Sequence, residues 1–341
     1  MIRTETVFIV GAGASCELGF PSGSKLLEDI ATDLDFYRNG FDLVRGDEKL
    51  HQLFRRVATE HVPEQIYFGA ASRIRDAAHL GLSIDNVIHQ LDHELAVPAC
   101  AKLAIARRLL IAENSSFLRI DTSRRDAVPL VSLRATWLGP FLQLLVQDKK
   151  RSELEDIFDK VSVVSFNYDR TIRRFMPFGL SSQFGLSDEE ARSLTRKLRI
   201  YYPYGSLGPL PWEGPTGGVE FGDEDAAALP TVAQSLRTFT EQIDDADDLA
   251  EMRLILSTAQ RIVFLGFGYH NQNIELLQRM ITPDAASVLG TSVGLSPSDE
   301  EAVKGQLSFF FRENYRPYKD AILRPLKCVE FLDHHFRTLV S

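Results

Sequence analysis

The chain has 341 residues, 44% hydrophobic and 25% charged, which is ample for a large core and more than an average single domain. Its formal net charge is -9, and an acidic surface argues against autonomous binding to DNA or RNA phosphates, which takes a basic stripe. Cys16, Cys100 and Cys328 lie far apart, with neither metal-ligand spacing nor a disulfide framework, and no run approaches the roughly 18 apolar residues that span a bilayer.

The opening MIRTETVFIV runs straight into a strand without the apolar stretch and cleavage site of a signal peptide. The expectation is a soluble, cytoplasmic protein with no metal, no membrane contact and no direct nucleic-acid partner. Thr6–Val10 is the first of several short apolar runs, followed by Val161–Phe166, Leu198–Tyr202, Ile262–Phe267, Ala286–Val293 and Cys328–Leu332. Most are continuously apolar, as strands buried on both faces of a parallel sheet are. Between the first two runs, residues 31–155 carry helical periodicity, as in the stretches starting at Ala99 and Thr136, and no convincing strand. Further on, Ser187 with Glu190 and Ser298 with Glu301 have the spacing of helix capping boxes. The Gly-rich, acidic stretch from Glu213 predicts a mobile surface loop, with a lid as the alternative, and Asp244–Asp248 predicts a solvated helix face. Together these features predict an α/β fold: a Rossmann-like doubly wound parallel sheet in one unit, residues 1–341, with a core of 1–30 and 156–341 and a helical insertion of 31–155.

The sharpest feature is the turn after the first strand, Gly11-Ala12-Gly13-Ala14-Ser15. Glycines there permit positive φ and close backbone approach, and free amides at the following helix start would point at a pyrophosphate. A dinucleotide fingerprint has a third glycine where this chain has Cys16, so a conventional dehydrogenase is disfavoured.

Gly11–Ser15 followed by LGFPSG resembles the opening of the sirtuin-like (SIR2) superfamily, whose GAGAS-type loop binds NAD. Three further stretches are similar to the family in the right order. They are Phe166-Asn167-Tyr168-Asp169 after a strand, Tyr204-Gly205-Ser206 where family members carry HGS, and Gly266-Phe267-Gly268-Tyr269-His270 with Asn273. The resemblance implies that Gly11, Ala12, Gly13, Ala14, Ser15, Asn167, Asp169, Gly205, Ser206, Gly266, Phe267, Gly268 and Asn273 hold NAD. It also implies that Phe20 and Pro21 shape the wall near the nicotinamide ribose. The paired CxxC motifs of the deacylases are absent, and the insertion, with its SIDNVIHQLD stretch from Ser83, is more like the SIR2-like proteins of bacterial antiphage systems. Asp85 in that stretch would face the pocket, or Ser83 or Asp85 would cap a helix.

That branch implies an NAD glycohydrolase releasing nicotinamide and ADP-ribose, an abortive-infection effector controlled by oligomerisation or by a second defence-system protein. Cleavage builds oxocarbenium character on the ribose, so it needs oriented dipoles, a positioned water and a proton acceptor. Asn167 at a strand end suits water and ribose contacts, since its amide both donates and accepts. The family's histidine position is taken by Tyr204 (or Tyr202), and an ordinary tyrosine is a poor base at neutral pH. Either another residue serves, with His270 first and His89 or His93 behind it, or a positioned water suffices. The third possibility is that hydrolysis is lost and the chain is a non-catalytic NAD or ADP-ribose binder within a complex.

Overall fold

The computed structural model describes residues 1–119, 130–214, 218–225, 227–237, 246–280, 284–311 and 319–341, with only the backbone described at 130, 131 and 246–248. Among the described residues eight strands run in chain order: β1 (Thr6–Val10), β2 (Tyr37–Asn39), β3 (Asp42–Arg45), β4 (Val161–Ser165), β5 (Arg199–Tyr201), β6 (Arg261–Leu265), β7 (Ser287–Thr291) and β8 (Ile322–Arg324). Six of them form one sheet in the order β5-β4-β1-β6-β7-β8, every neighbouring pair parallel. Counting only those six in chain order, the arrangement is 3-2-1-4-5-6, the doubly wound Rossmann order. Every residue of β1, β4 and β6 is buried, which explains why their sequences are largely apolar rather than alternating.

The strand order places the ligand crevice. The chain leaves β1 toward β4 and β5, then crosses back to lay β6 on β1's other side, so the loops after β1 and β6 diverge at the C-terminal edge. Such a switch point opens a crevice that no side chain has to carve.

Three sequence expectations are corrected. Cys328–Leu332 is not a strand but the start of the helix Cys328–His334. Cys328, Phe331 and Leu332 are its buried residues, spaced i, i+3, i+4 as on one helical face, and Glu330 accepts the Lys327 amide at 3.1 Å. The sixth strand of the sheet is instead the short Ile322–Arg324. Residues 31–155 do contain strands: β2 and β3 form an antiparallel hairpin around Gly40, which has φ +62°, and Phe41 at its tip is 95% exposed. Asn39-Gly40 is a strong hairpin signal, but the polar residues flanking it hide the strands from a periodicity argument. Finally, Ser296, not Ser298, caps the helix Pro297–Leu307, accepting the Asp299 amide at 3.1 Å, because Pro297 suits the first helical position.

Other expectations hold. The box at Ser187 and Glu190 caps Asp188–Arg196, and the insertion's helical stretches form Val97–Ser115 and Leu138–Val146. The second of these lies against the sheet, with Phe141 packed edge-on to Phe8 of β1 at 5.1 Å, so a layer of the core is drawn from within 31–155. The side chains of the acidic run 244–248 lie outside the described residues.

Candidate functional site

A cleft of about 640 Å³ opens at the switch point. Its lining comes from the turn after β1, the start of the helix Gly23–Asp33, the Asn167 loop after β4, Tyr204 after β5, residues 266–273 after β6, the end of β7, the Leu326–Cys328 segment and the start of the helix Ile84–Gln90.

Its floor is a junction of two backbones. Gly13 N–H donates to Gly266 O at 2.9 Å, and Gly11 N–H donates to Leu265 O at 2.9 Å. A Cβ on Gly11 would sit 2.6 Å from Gly266 O, and one on Gly266, whose φ is +57°, would sit 2.0 Å from Ala14 N. These glycines therefore serve close approach of two strand ends as much as any ligand. Ala14 N–H is also committed, to Gly11 O at 3.0 Å. With the Gly11, Gly13 and Ala14 amides all committed, most of the cradle of free amides expected from the sequence is spent within the protein.

Asn167 follows β4 and is locked from behind. Its Nδ2 donates to Gly11 O and to Ser15 Oγ, each at 2.9 Å, while Ser15 Oγ donates to Asp169 Oδ2 at 2.6 Å. A carbonyl and a hydroxyl whose proton is already committed both demand a donor, so the amide orientation is forced. Both amide protons are spent within the protein, and Oδ1 is left as the group Asn167 can offer the cleft. Asp169 takes no place in the lining; its Oδ1 accepts the Thr171 amide at 3.1 Å and the Thr171 hydroxyl at 2.6 Å, holding the first residue of the next helix.

Tyr204 borders the cleft, and its hydroxyl donates to Asn273 Oδ1 at 2.6 Å. Burial and the nearby Asp85 push that hydroxyl's pKa up, which removes Tyr204 as a base. Its ring meets Phe166 edge-on at 5.7 Å, and Phe166 meets Phe267 at 5.1 Å, giving an apolar wall. His270 is exposed at the rim. Tyr269 beside it holds φ +52°, a strained value for a non-glycine, kept by its hydroxyl donating to Thr291 O at 2.9 Å.

The insertion closes the opposite side. Ser83 caps the helix Ile84–Gln90, accepting the Asn86 amide at 3.2 Å, and Asp85 in its first turn borders the cleft. Tyr168 donates its hydroxyl to Asp85 Oδ1 at 2.8 Å. Burial raises the Asp85 pKa, against the lowering influence of Tyr168 and His270.

Ala14, Ser15, Phe20, Pro21, Asp169, Gly205 and Ser206 do not line the cleft. Ala14, Ser15 and Phe20 are buried beneath the loop. Gly205, with φ +71°, is a backbone contact, since a Cβ there would lie 2.0 Å from Ser235 O, and Ser206 Oγ accepts Gly208 N–H at 3.3 Å in the same turn. His89 and His93 are exposed and also stand outside it. Where it is described, the stretch from Glu213 is tied to the rest of the protein by polar contacts. Arg170 donates to Val219 O at 2.6 Å and pairs with the fully buried Glu113 at 2.6 Å, while Glu224 accepts from Arg107 at 3.0 Å.

No family model matches this sequence, and no curated protein is similar enough to count as a relative.

The sequence reading missed Cys16, Glu17, Thr291, Val293, Leu326, Lys327 and Cys328, all of which border the cleft. Lys327 is the one lysine or arginine among the described lining residues. Glu17 ties two helix starts together, accepting the Trp137 amide at 2.8 Å and the Val329 amide at 3.1 Å, while burial raises its pKa. The available signal was topological: in a parallel sheet the loops after every strand reach one edge, so segments after the fifth and sixth strands belong to the site.

Proposed function

We propose that this chain binds NAD in the cleft and hydrolyses its nicotinamide–ribose bond. The observation that carries the reading is Asn167, which stands at the switch-point crevice with both amide protons tied to the Gly11–Ser15 turn and Oδ1 left for the cleft. A fixed acceptor of this kind orients a water toward a carbon that gains positive character as a neutral nicotinamide leaves. The cleft volume, about 640 Å³, is in the range of small-molecule sites. Lys327 and the helix start at Ser22–Ser24 border the cleft and can meet a pyrophosphate, and the wall of Phe166, Tyr204 and Phe267 suits a flat ring. The order of the motifs and their resemblance to SIR2-like proteins support the same ligand, and with it a role as a defence effector triggered by self-assembly or a partner protein.

A second reading is favoured by Tyr204, whose proton is committed to Asn273 where the resemblance calls for a basic histidine. In that reading the chain binds NAD or ADP-ribose without turnover, as a subunit of a complex. Among the described residues no helix is long and apolar enough to cross a membrane.

Incubating concentrated protein with NAD and following nicotinamide by chromatography tests the first reading. Release that vanishes in Asn167→Ala supports it. Tight NAD or ADP-ribose binding without any release selects the second.

A further inference from the structure

We propose that Asp85, oriented by Tyr168, accepts the proton of the attacking water when the nicotinamide–ribose bond is hydrolysed. The inference rests on the hydrolase reading of the cleft and adds the proton acceptor that reading lacks.

The other acid–base groups of the cleft are otherwise engaged or poorly placed. The Tyr204 proton is committed to Asn273, the Glu17 carboxylate is held by two backbone amides, and His270 stands exposed at the rim. Asp85 borders the cleft, and among the described residues Tyr168 is the one side chain that donates to it. Tyr168 is the residue after Asn167, so a single turn after β4 sets two acceptors, one directly through Asn167 Oδ1 and one indirectly through Asp85. A water between two acceptors gives each a proton and has a lone pair left to aim at the ribose C1′. In the reaction the water oxygen bonds to C1′ and the C1′–nitrogen bond breaks. Neutral nicotinamide carries away that electron pair, the water proton passes to Asp85, and ADP-ribose remains. Asp85 then returns its proton to solvent.

Burial raises the Asp85 pKa, so its carboxylate holds a proton more readily than an exposed aspartate would. The titratable groups facing it are Tyr168 after β4, Tyr204 after β5 and His270 after β6. Of these the Tyr168 hydrogen bond and, after it, His270 pull its pKa down.

The test compares single-turnover nicotinamide release, NAD dissociation constants and melting temperatures of the wild type, Asp85→Asn and Tyr168→Phe. Asp85→Asn is expected to slow release by about 100-fold or more, the scale of a lost general base, with NAD affinity within about threefold of wild type. Tyr168→Phe removes the donor that lowers the Asp85 pKa, so the acidic limb of its pH–rate profile should move to higher pH. That shift carries the test even if Asp85→Asn does not fold. A release rate in Asp85→Asn within about threefold of wild type overturns the proposal, as does weaker NAD binding in proportion to the lost rate, or an unmoved limb in Tyr168→Phe. A wild type that binds NAD but releases no nicotinamide removes the hydrolase reading and this one together, an outcome distinct from an active wild type with an active Asp85→Asn.

Discussion

The sheet side of the cleft is backbone packed on backbone, whereas the insertion side is a carboxylate held by one tyrosine hydroxyl. On the sheet side Gly11 and Gly13 touch Gly266 so closely that any Cβ would collide with main-chain atoms. On the insertion side, Asp85 depends on a 2.8 Å bond from Tyr168, and Leu82 at the mouth is 74% exposed. A backbone junction has no rotamers to relax through, so it fixes geometry and tolerates almost nothing. A side-chain contact costs less to change and leaves room for tuning.

If this contrast is right, damage should fall off from the floor and its supports toward the mouth. The largest loss is expected for Arg170→Met, which strands Glu113, 0% exposed, without its partner; denaturant unfolding should show roughly 3–5 kcal/mol lost. Gly266→Ala should cost about 3 kcal/mol or more, because a positive φ is combined with main-chain overlap that cannot be relieved by a side chain. A melt unchanged within a degree would show that the two loops are not in fact locked together. Asn167→Ala should abolish nicotinamide release while costing roughly 1–2 kcal/mol, since Gly11 O keeps the Ala14 amide and Ser15 keeps Asp169. An equally large stability loss there would mean that Asn167 serves the fold and not the chemistry. At the mouth, Leu82→Ser should change stability by less than about 0.5 kcal/mol, as surface positions do.

Much of the architecture was legible because it rests on local chemistry. The apolar runs of β1, β4 and β6 announce strands buried on both faces, and Gly11 and Gly13 after β1 announce a turn that requires bare backbone. The C-terminal region misled for an equally local reason. CVEFL has few residues, and its apolar positions satisfy a helical face as well as an apolar strand, while the true strand Ile322–Arg324 is too short to show a period.

The sequence by itself determined the class of fold, the glycine turn and the polar residue at the end of the second sheet strand, because strand burial, the lack of a Cβ and hydrogen-bonding capacity are properties of single residues and their neighbours. The tertiary structure decided which of those residues share a cleft. It turned Asp169, Gly205 and Ser206 to internal support, brought in Glu17, Lys327 and Thr291, and spent both amide protons of Asn167 on the first turn. The outcome at Asn167 depends on pairings between distant residues, such as Asn167 with Ser15 at a separation of 152, and no local pattern encodes which donor a distant acceptor will claim.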